Sequence, residues 1–283
     1  MKTYEIRCLS ESLSLMTHMS GVAGNEAVVA KECVVGNSRR AWVPFISGNA
    51  IRHRMIREPG MLWLIDKYGL EGKLTLGALN FLLHGGNLVA SDGRENTKRI
   101  VEMNRTWPLL RILGASLPDQ ILAGSMDVWR GTLICEENRN AIDVAFEGKL
   151  FPASQFVVDY GYTRGDVRRS MVEISNLSDQ ANKSNLMIFT GQAVQVGAMW
   201  AHGFILKHVS DLELGALLWS LRLWQATGGT LGGQASRGHG RLRCEIVNPD
   251  FDQTTLCRAY VDYALSVKSE AVAWLHDALH EAK

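Results

Sequence analysis

The chain has 283 residues, 46% of them hydrophobic, with 30 lysines and arginines against 29 aspartates and glutamates, a formal net charge of +1. That length suits one large domain, or a compact domain with sizeable insertions, and excludes a small scaffold that depends on staples. A nearly neutral chain is not a uniformly basic nucleic-acid binder, so any such site must come from local clustering of arginine.

The five cysteines, Cys8, Cys33, Cys135, Cys244 and Cys257, stand singly, without a CxxC pair or the close His/Cys spacing of a zinc site. They read as reduced thiols of a cytosolic protein, and no metal or other cofactor is expected. The N-terminal stretch MKTYEIRCLSESLSLM has no uninterrupted apolar core, and no later run reaches transmembrane length. A cytoplasmic protein without a membrane partner is the expectation.

Residues 3–9 alternate, with Tyr4, Ile6 and Cys8 on one face, and predict a strand. The stretch 21–38, with small residues and turn formers at both ends, predicts a loop or hairpin. ISGNAIRHRMIRE predicts a helix capped by Ser47 or Asn49 and kinked or ended at Pro59. Met61, Leu62, Leu64, Ile65 and Tyr68 then keep helical spacing, and LTLGALNFLL adds a short helix. The helical block 60–112 is too long for a simple connection and reads as an insertion.

SMDVWRGTLIC, 125–135, predicts a second strand, followed by a polar, irregular region running to Asn185. Residues 185–207 predict a strand pair or one long bent strand. Leu214, Leu217, Leu218, Leu221 and Trp224 give the clearest helical stripe, over 211–225. After it come six glycines between Gly228 and Gly240, then GRLRCEIV, whose alternation predicts a last core strand. A single helix is expected over 254–282. With the insertions set aside the order is β-α-β-β-α-β, an α+β, ferredoxin-like arrangement.

Three segments concentrate positive charge. The glycine loop interleaves Gly233, Ser236, Arg237, Gly238, His239 and Arg241. Glycine lets backbone N–H groups approach phosphate oxygens, and arginine offers a planar fork to the same oxygens. No GK[ST] ends this loop and it runs from helix to strand, so a nucleotide-triphosphate P-loop does not fit. Ser38 to Arg57 holds Arg39, Arg40, Arg52, His53, Arg54 and Arg57 and no acid. There Ser47, Gly48 and Asn49 would present free amides at a helix N-terminus to an anion. Arg54 and Arg57, three apart, would share a face. DYGYTRGDVRRS adds Tyr162, Arg164, Arg168 and Arg169, an aromatic among cations that could stack on a base. For each segment the alternative is an ordinary solvated surface. No hydrolase triad, HExxH or paired metal spacing stands out, and His202 and His208 fall beside strand residues and read as structural.

Two of these motifs resemble a known family. Ile46-Ser47-Gly48-Asn49-Ala50-Ile51-Arg52 resembles the I-P-G-S-S-L-K opening of the first helix of CRISPR-associated RAMP proteins. GGQASRGHGRLR resembles their G-G-x-x-S-R-G-x-G-R loop, and LLRILGAS lies between the two in the order the family shows. The resemblance covers about residues 1–247 and points to the guide-RNA backbone subunit of type I, type III or type IV effector complexes. It implies one RAMP domain over 1–283: an RNA-recognition-motif palm, helical fingers at 60–112, a thumb at 136–184 with DYGYTRGDVRRS at its tip, and a C-terminal helix. It also implies binding of a CRISPR guide RNA, target recognition through guide pairing, and assembly with further copies and with other effector subunits.

The family's proline is Ser47 here, its serine pair is Asn49-Ala50, its lysine is Arg52, and its next arginine position falls on Ile56. RNA-cleaving relatives carry an aspartate before the first helix. This chain has none between Leu9 and Asp66, so cleavage is not expected and a non-cleaving backbone of type I or type IV systems is, with Glu26 the alternative base. The rival readings are a RAMP endoribonuclease that processes the guide precursor, using His18 or His53 as acid/base, and a single-copy cap subunit.

Overall fold

The structure is a computed structural model that describes residues 1–23, 26–36, 39–88, 96–164 and 187–280. Its first strand, β1 (Lys2–Ser12), buries Ile6, Cys8, Ser10 and Ser12 at period two, the alternation its sequence predicts. The stretch read as a loop or hairpin holds three short strands: β2 (Met19–Ala23), β3 (Glu26–Val29) and β4 (Lys31–Gly36), the last paired with β5 (Arg39–Ile46).

The next helix begins where Ser47 caps it, its hydroxyl accepting from the Ala50 N–H at 3.2 Å. It runs as α1 (Gly48–Ile51), a π-helical stretch (Arg52–Arg57) and α2 (Glu58–Tyr68) without a break. Of the two outcomes expected at Pro59, an end is excluded, and the irregularity lies in the π turn just before it. Proline lacks the N–H of the ladder, and the wider π turn just before it takes up the mismatch. Gly69, in the left-handed region at φ 65°, closes α2.

Helices α3 (Leu76–His84), α4 (Thr97–Thr106) and α5 (Pro108–Leu113) follow, with a small ladder of β6 (Ala115–Ser116) and β7 (Ile121–Leu122). The strand expected over 125–135 is two pieces, β8 (Met126–Val128) and β9 (Gly131–Leu133), both laid against one long neighbour. Within the region expected to be irregular, Val157–Arg164 is a strand, β10, paired in register with β11 (Met187–Val194). β12 (Met199–Val209) comes next, then α6 (Asp211–Ala226), β13 (Leu242–Ile246) and two C-terminal helices. Those helices, α7 (Gln253–Ser266) and α8 (Lys268–His280), replace the single one expected.

The main sheet runs β13-β1-β12-β9-β5-β4, with β8 also on β12, and its pairings are antiparallel. Taking β8 and β9 as one interrupted strand, the spatial order of the four core strands is 4-1-3-2, so the chain is α+β with the ferredoxin-like order expected. A second sheet, β10-β11-β3-β2, holds β11. β11 and β12 thus join different sheets, and of the two readings of 185–207 the bent strand is the closer.

One face of the main sheet carries the large core, including Ile6, Phe204, Leu217 and Trp200, whose indole N–H donates to Ser12 Oγ at 2.9 Å. The opposite face is covered by a smaller group in which Ile142, Val144 and Phe146 pack near Leu9 and Ala201. Helices 60–112 are tied to the C-terminal pair by two indoles: Trp107 donates to Ala271 O and Trp274 to Arg99 O, both at 3.0 Å.

α6 and α7 cross so closely that a Cβ on Gly215 would sit 2.4 Å from Leu256 O. Gly215→Ala is expected to cost about 1–3 kcal/mol by overpacking, read as a lower midpoint in chemical denaturation.

Candidate nucleic-acid interface

Two consecutive residues hold the site together. Thr17 receives the glycine loop, its carbonyl accepting from Gly233 N–H at 2.8 Å while its hydroxyl donates to Gly233 O at 2.6 Å. The next residue, His18, accepts the Ser47 N–H on Nε2 at 3.1 Å. Consecutive Cα atoms lie about 3.8 Å apart, so the loop and the start of the long helix are moored side by side. Sequence spacing gave no hint of this, because 216 residues separate Thr17 from Gly233.

At the helix end, Ser47, Gly48, Asn49 and Arg52 line a concavity of about 300 Å³ with Met126 and Val128. Glycine at 48 leaves room for the close approach of Val128, since a Cβ would stand 3.1 Å from Val128 O. Arg52 is half-buried, its Nε lacks a partner among the described residues, and burial lowers its pKa. A half-buried guanidinium without a carboxylate gains from any anion that reaches it.

Arg57 is placed elsewhere. It is buried and donates to Leu82 O at 3.1 Å and Gly114 O at 2.6 Å, and its pKa is drawn down to about 10 by burial and then by Arg52. Arg54 pairs with Glu58 and faces a different groove, beside Trp63 and Trp224. The expectation that Arg54 and Arg57 share a face fails because both lie in the π stretch, whose larger number of residues per turn separates positions three apart. Arg40 is exposed at the far end of the β4–β5 hairpin, seven residues and roughly 23 Å of strand from Ser47. Arg39 opens β5 beside it.

The glycines serve mainly the chain itself. A Cβ on Gly240 would lie 2.1 Å from Leu231 O, on Gly229 2.4 Å from Leu242 O, and on Gly232 2.7 Å from Thr17 O. The loop folds back on itself, with Leu231 N–H donating to Gly240 O and Gly240 N–H to Leu15 O. Its tip is a short 3₁₀ turn (Ala235–Arg237) between Gln234 and Gly238, both at positive φ. Ser236, Arg237 and Arg241 are exposed.

The tip rests on the β10–β11 hairpin. The Arg237 guanidinium lies over the Tyr162 ring at 3.9 Å, and Tyr162 stacks on Phe189 with centroids 5.2 Å apart. His239 meets Tyr160 edge-on at 4.9 Å, and the Gln234 amide donates to Tyr160 OH. Arg237, His239 and Tyr162, predicted from separate segments, are therefore brought together. Tyr160, Phe189, Gln234, Thr17 and the backbone-accepting role of His18 were missed; Val158, Tyr160 and Tyr162 at period two were the available signal for the strand. Arg164 ends β10, and Arg168 and Arg169 lie outside the described residues.

Burial holds His18 below the ordinary histidine value, and burial followed by Arg237 does the same for His239, so both are neutral at pH 7. His53, stacked on His84 with centroids 5.4 Å apart, is lowered by burial too. Glu32 pairs with Arg130.

No protein-family model matches this chain, and no curated protein does. Among solved structures it is similar to a chain described as "Type IV-B CRISPR Complex", at 13% identity, over 88% of this chain and 92% of that chain, with a TM-score of 0.60. At that identity the likeness is one of fold. Among the described residues no helix is long and apolar enough to cross a membrane.

Two outcomes follow. A histidine whose folded pKa is depressed stabilises the fold above its unfolded pKa, near 6.5, and that stability is lost as pH falls through the folded value. The melting midpoint should therefore drop between pH 7 and pH 5. His18→Gln, whose amide oxygen can still accept the Ser47 N–H, should reduce the drop, leaving the part due to His53 and His239. Arg57→Ala should cost about 3 kcal/mol in chemical denaturation, from two orphaned carbonyls and lost packing, marking it as structural.

Proposed function

We propose that this chain is an RNA-binding subunit of a CRISPR effector complex, several copies of which line up along a guide RNA. The observation that carries this reading is the double mooring at Thr17 and His18, which sets the Ser47–Arg52 concavity beside the loop bearing Arg237 and Arg241. Amides and an under-solvated guanidinium at one, and exposed guanidinium groups at the other, suit successive phosphates of a single strand. Such contacts need no base identity, so sequence would be read by guide pairing with the target.

The fold likeness to a chain of a CRISPR complex supports the same reading. In this reading helices 60–112 act as fingers and the insertion 136–184, of which 165–184 lie outside the described residues, as a thumb toward the next copy. The aromatic pair Tyr162 and Phe189 then lies where that thumb joins the loop. Arg57 holds the helix to its neighbours and leaves the RNA to Arg52.

Fluorescence anisotropy with single-stranded RNA tests the proposal. Log affinity should fall with log salt by roughly 0.7 per phosphate neutralised. Arg52→Ala and Arg237→Ala should each weaken binding about tenfold, ~1.4 kcal/mol, and lower the slope. Arg105→Ala, on α4 and paired with Glu270, should do neither. Particle mass should grow stepwise with RNA length while the RNA stays intact. Salt-insensitive binding, or a double variant that binds as well as the wild type, would overturn the assignment.

A further inference from the structure

The core face of the main sheet gathers three soft ligands from three strands. Cys8 on β1 stands directly opposite His202 on β12, and Cys244 on β13 stands opposite Ser10, the next inward residue of β1. The two Sγ atoms and the imidazole nitrogen all lie within 4.8 Å of one another. His202 Nε2 is 3.8 Å from Cys244 Sγ and 2.8 Å from Ser10 Oγ. A tetrahedral zinc ion with ordinary Zn–S and Zn–N bonds holds its ligand atoms roughly 3.5–3.8 Å apart, so the ring and the Cys244 sulfur already stand at coordination spacing.

Two further observations set the group apart from ordinary core filling. Cys8 and Ser10 are 0% exposed and His202 3%, and the second imidazole nitrogen, Nδ1, has no partner among the described residues. A buried polar ring with one of its two nitrogens unpartnered is costly filling for a core. There is also a way in. A groove of about 570 Å³ between α6, β13 and α7 is lined by Arg222, Gln225, Gln253 and Cys257 and reaches Cys244.

We propose that Cys8, His202 and Cys244 form a binding site for one soft, thiophilic cation, zinc(II) or copper(I). Both metals favour thiolate with imidazole. Binding exchanges two thiol protons, released to solvent, for two metal–sulfur bonds, while Nε2 gives up its bond with the Ser10 hydroxyl and donates its lone pair to the metal. The ion would clasp β13, which among the described residues pairs only with β1 at the sheet edge, to β1 and β12. Because β13 begins two residues after Gly240, the clasp also anchors the end of the glycine loop. The site is independent of whether the loop binds RNA.

The test uses the full chain without a polyhistidine tag. Titrating cobalt(II) into the reduced protein should give a thiolate-to-cobalt charge-transfer band saturating at about one ion per chain. The band should vanish in Cys244→Ser and in His202→Gln and persist in Cys257→Ser, whose thiol lines the groove outside the cluster. Elemental analysis of protein purified without chelator distinguishes zinc from copper. Cys244 is only partly buried, so its serine variant tests the site with little effect on the core, and the wild-type titration depends on no variant. Absence of the band, its survival in both ligand variants, or equal loss in Cys257→Ser would overturn the proposal. So would a Cys8–Cys244 disulfide in protein purified without added oxidant.

Discussion

The bonds made by Thr17 and His18 are the constraint on which the candidate interface depends. They lie in the short connection between β1 and β2, and they use a carbonyl, a hydroxyl and one imidazole nitrogen to fix two segments that the sequence keeps far apart. A carbonyl and a hydroxyl exchanging bonds with the same residue, Gly233, leave little freedom for rotation of the loop. An imidazole that accepts from the Ser47 N–H must be unprotonated, and burial keeps it so. The same bond satisfies a backbone N–H at the helix start, where intrahelical partners run out. The position of the loop relative to the helix is thus set by the core side of the molecule, before any ligand arrives.

This arrangement changes the meaning of the glycines. Residue type alone suggests that glycine makes room for phosphate. The close backbone approaches show that Gly229, Gly232 and Gly240 make room for Leu242, Thr17 and Leu231 instead. Close self-packing gives the loop a fixed path, and a fixed path is what lets a few exposed side chains at its tip point in a defined direction. Gly238, with nothing within 4 Å of a would-be Cβ, differs from these and owes its place to a backbone φ of 83°.

Much of the fold was legible because its signals are local. Alternation in β1 and β13, the apolar stripe of α6, and the serine cap of the long helix each follow from short-range periodicity or capping. The ferredoxin-like order followed from their sequence. What stayed hidden depends on contacts between distant segments or on small departures from regular geometry. The π stretch turned Arg57 inward although its spacing from Arg54 is that of a shared α-helical face. Tyr160 and Tyr162 sit on a strand that reads as loop because glycine and charge interrupt its apolar residues. Cys8, His202 and Cys244 have no ligand spacing at all along the chain. Antiparallel pairing of three strands creates their proximity, and no linear motif encodes register.

The division of labour among the arginines explains how a nearly neutral protein can present a basic face. Arg57 serves two carbonyls, Arg54 serves Glu58, and Arg243 pairs with Glu11, so each is engaged within the fold. Arg52 is different because, among the described residues, its surroundings desolvate it without supplying an anion, and Arg237 because the contacts it makes there, an aromatic face and the Gln234 amide oxygen, carry no full negative charge. A cation that the fold has left uncompensated has more to gain from a phosphate than one already paired. Affinity then depends less on how many basic residues the chain contains than on which of them the packing declines to neutralise.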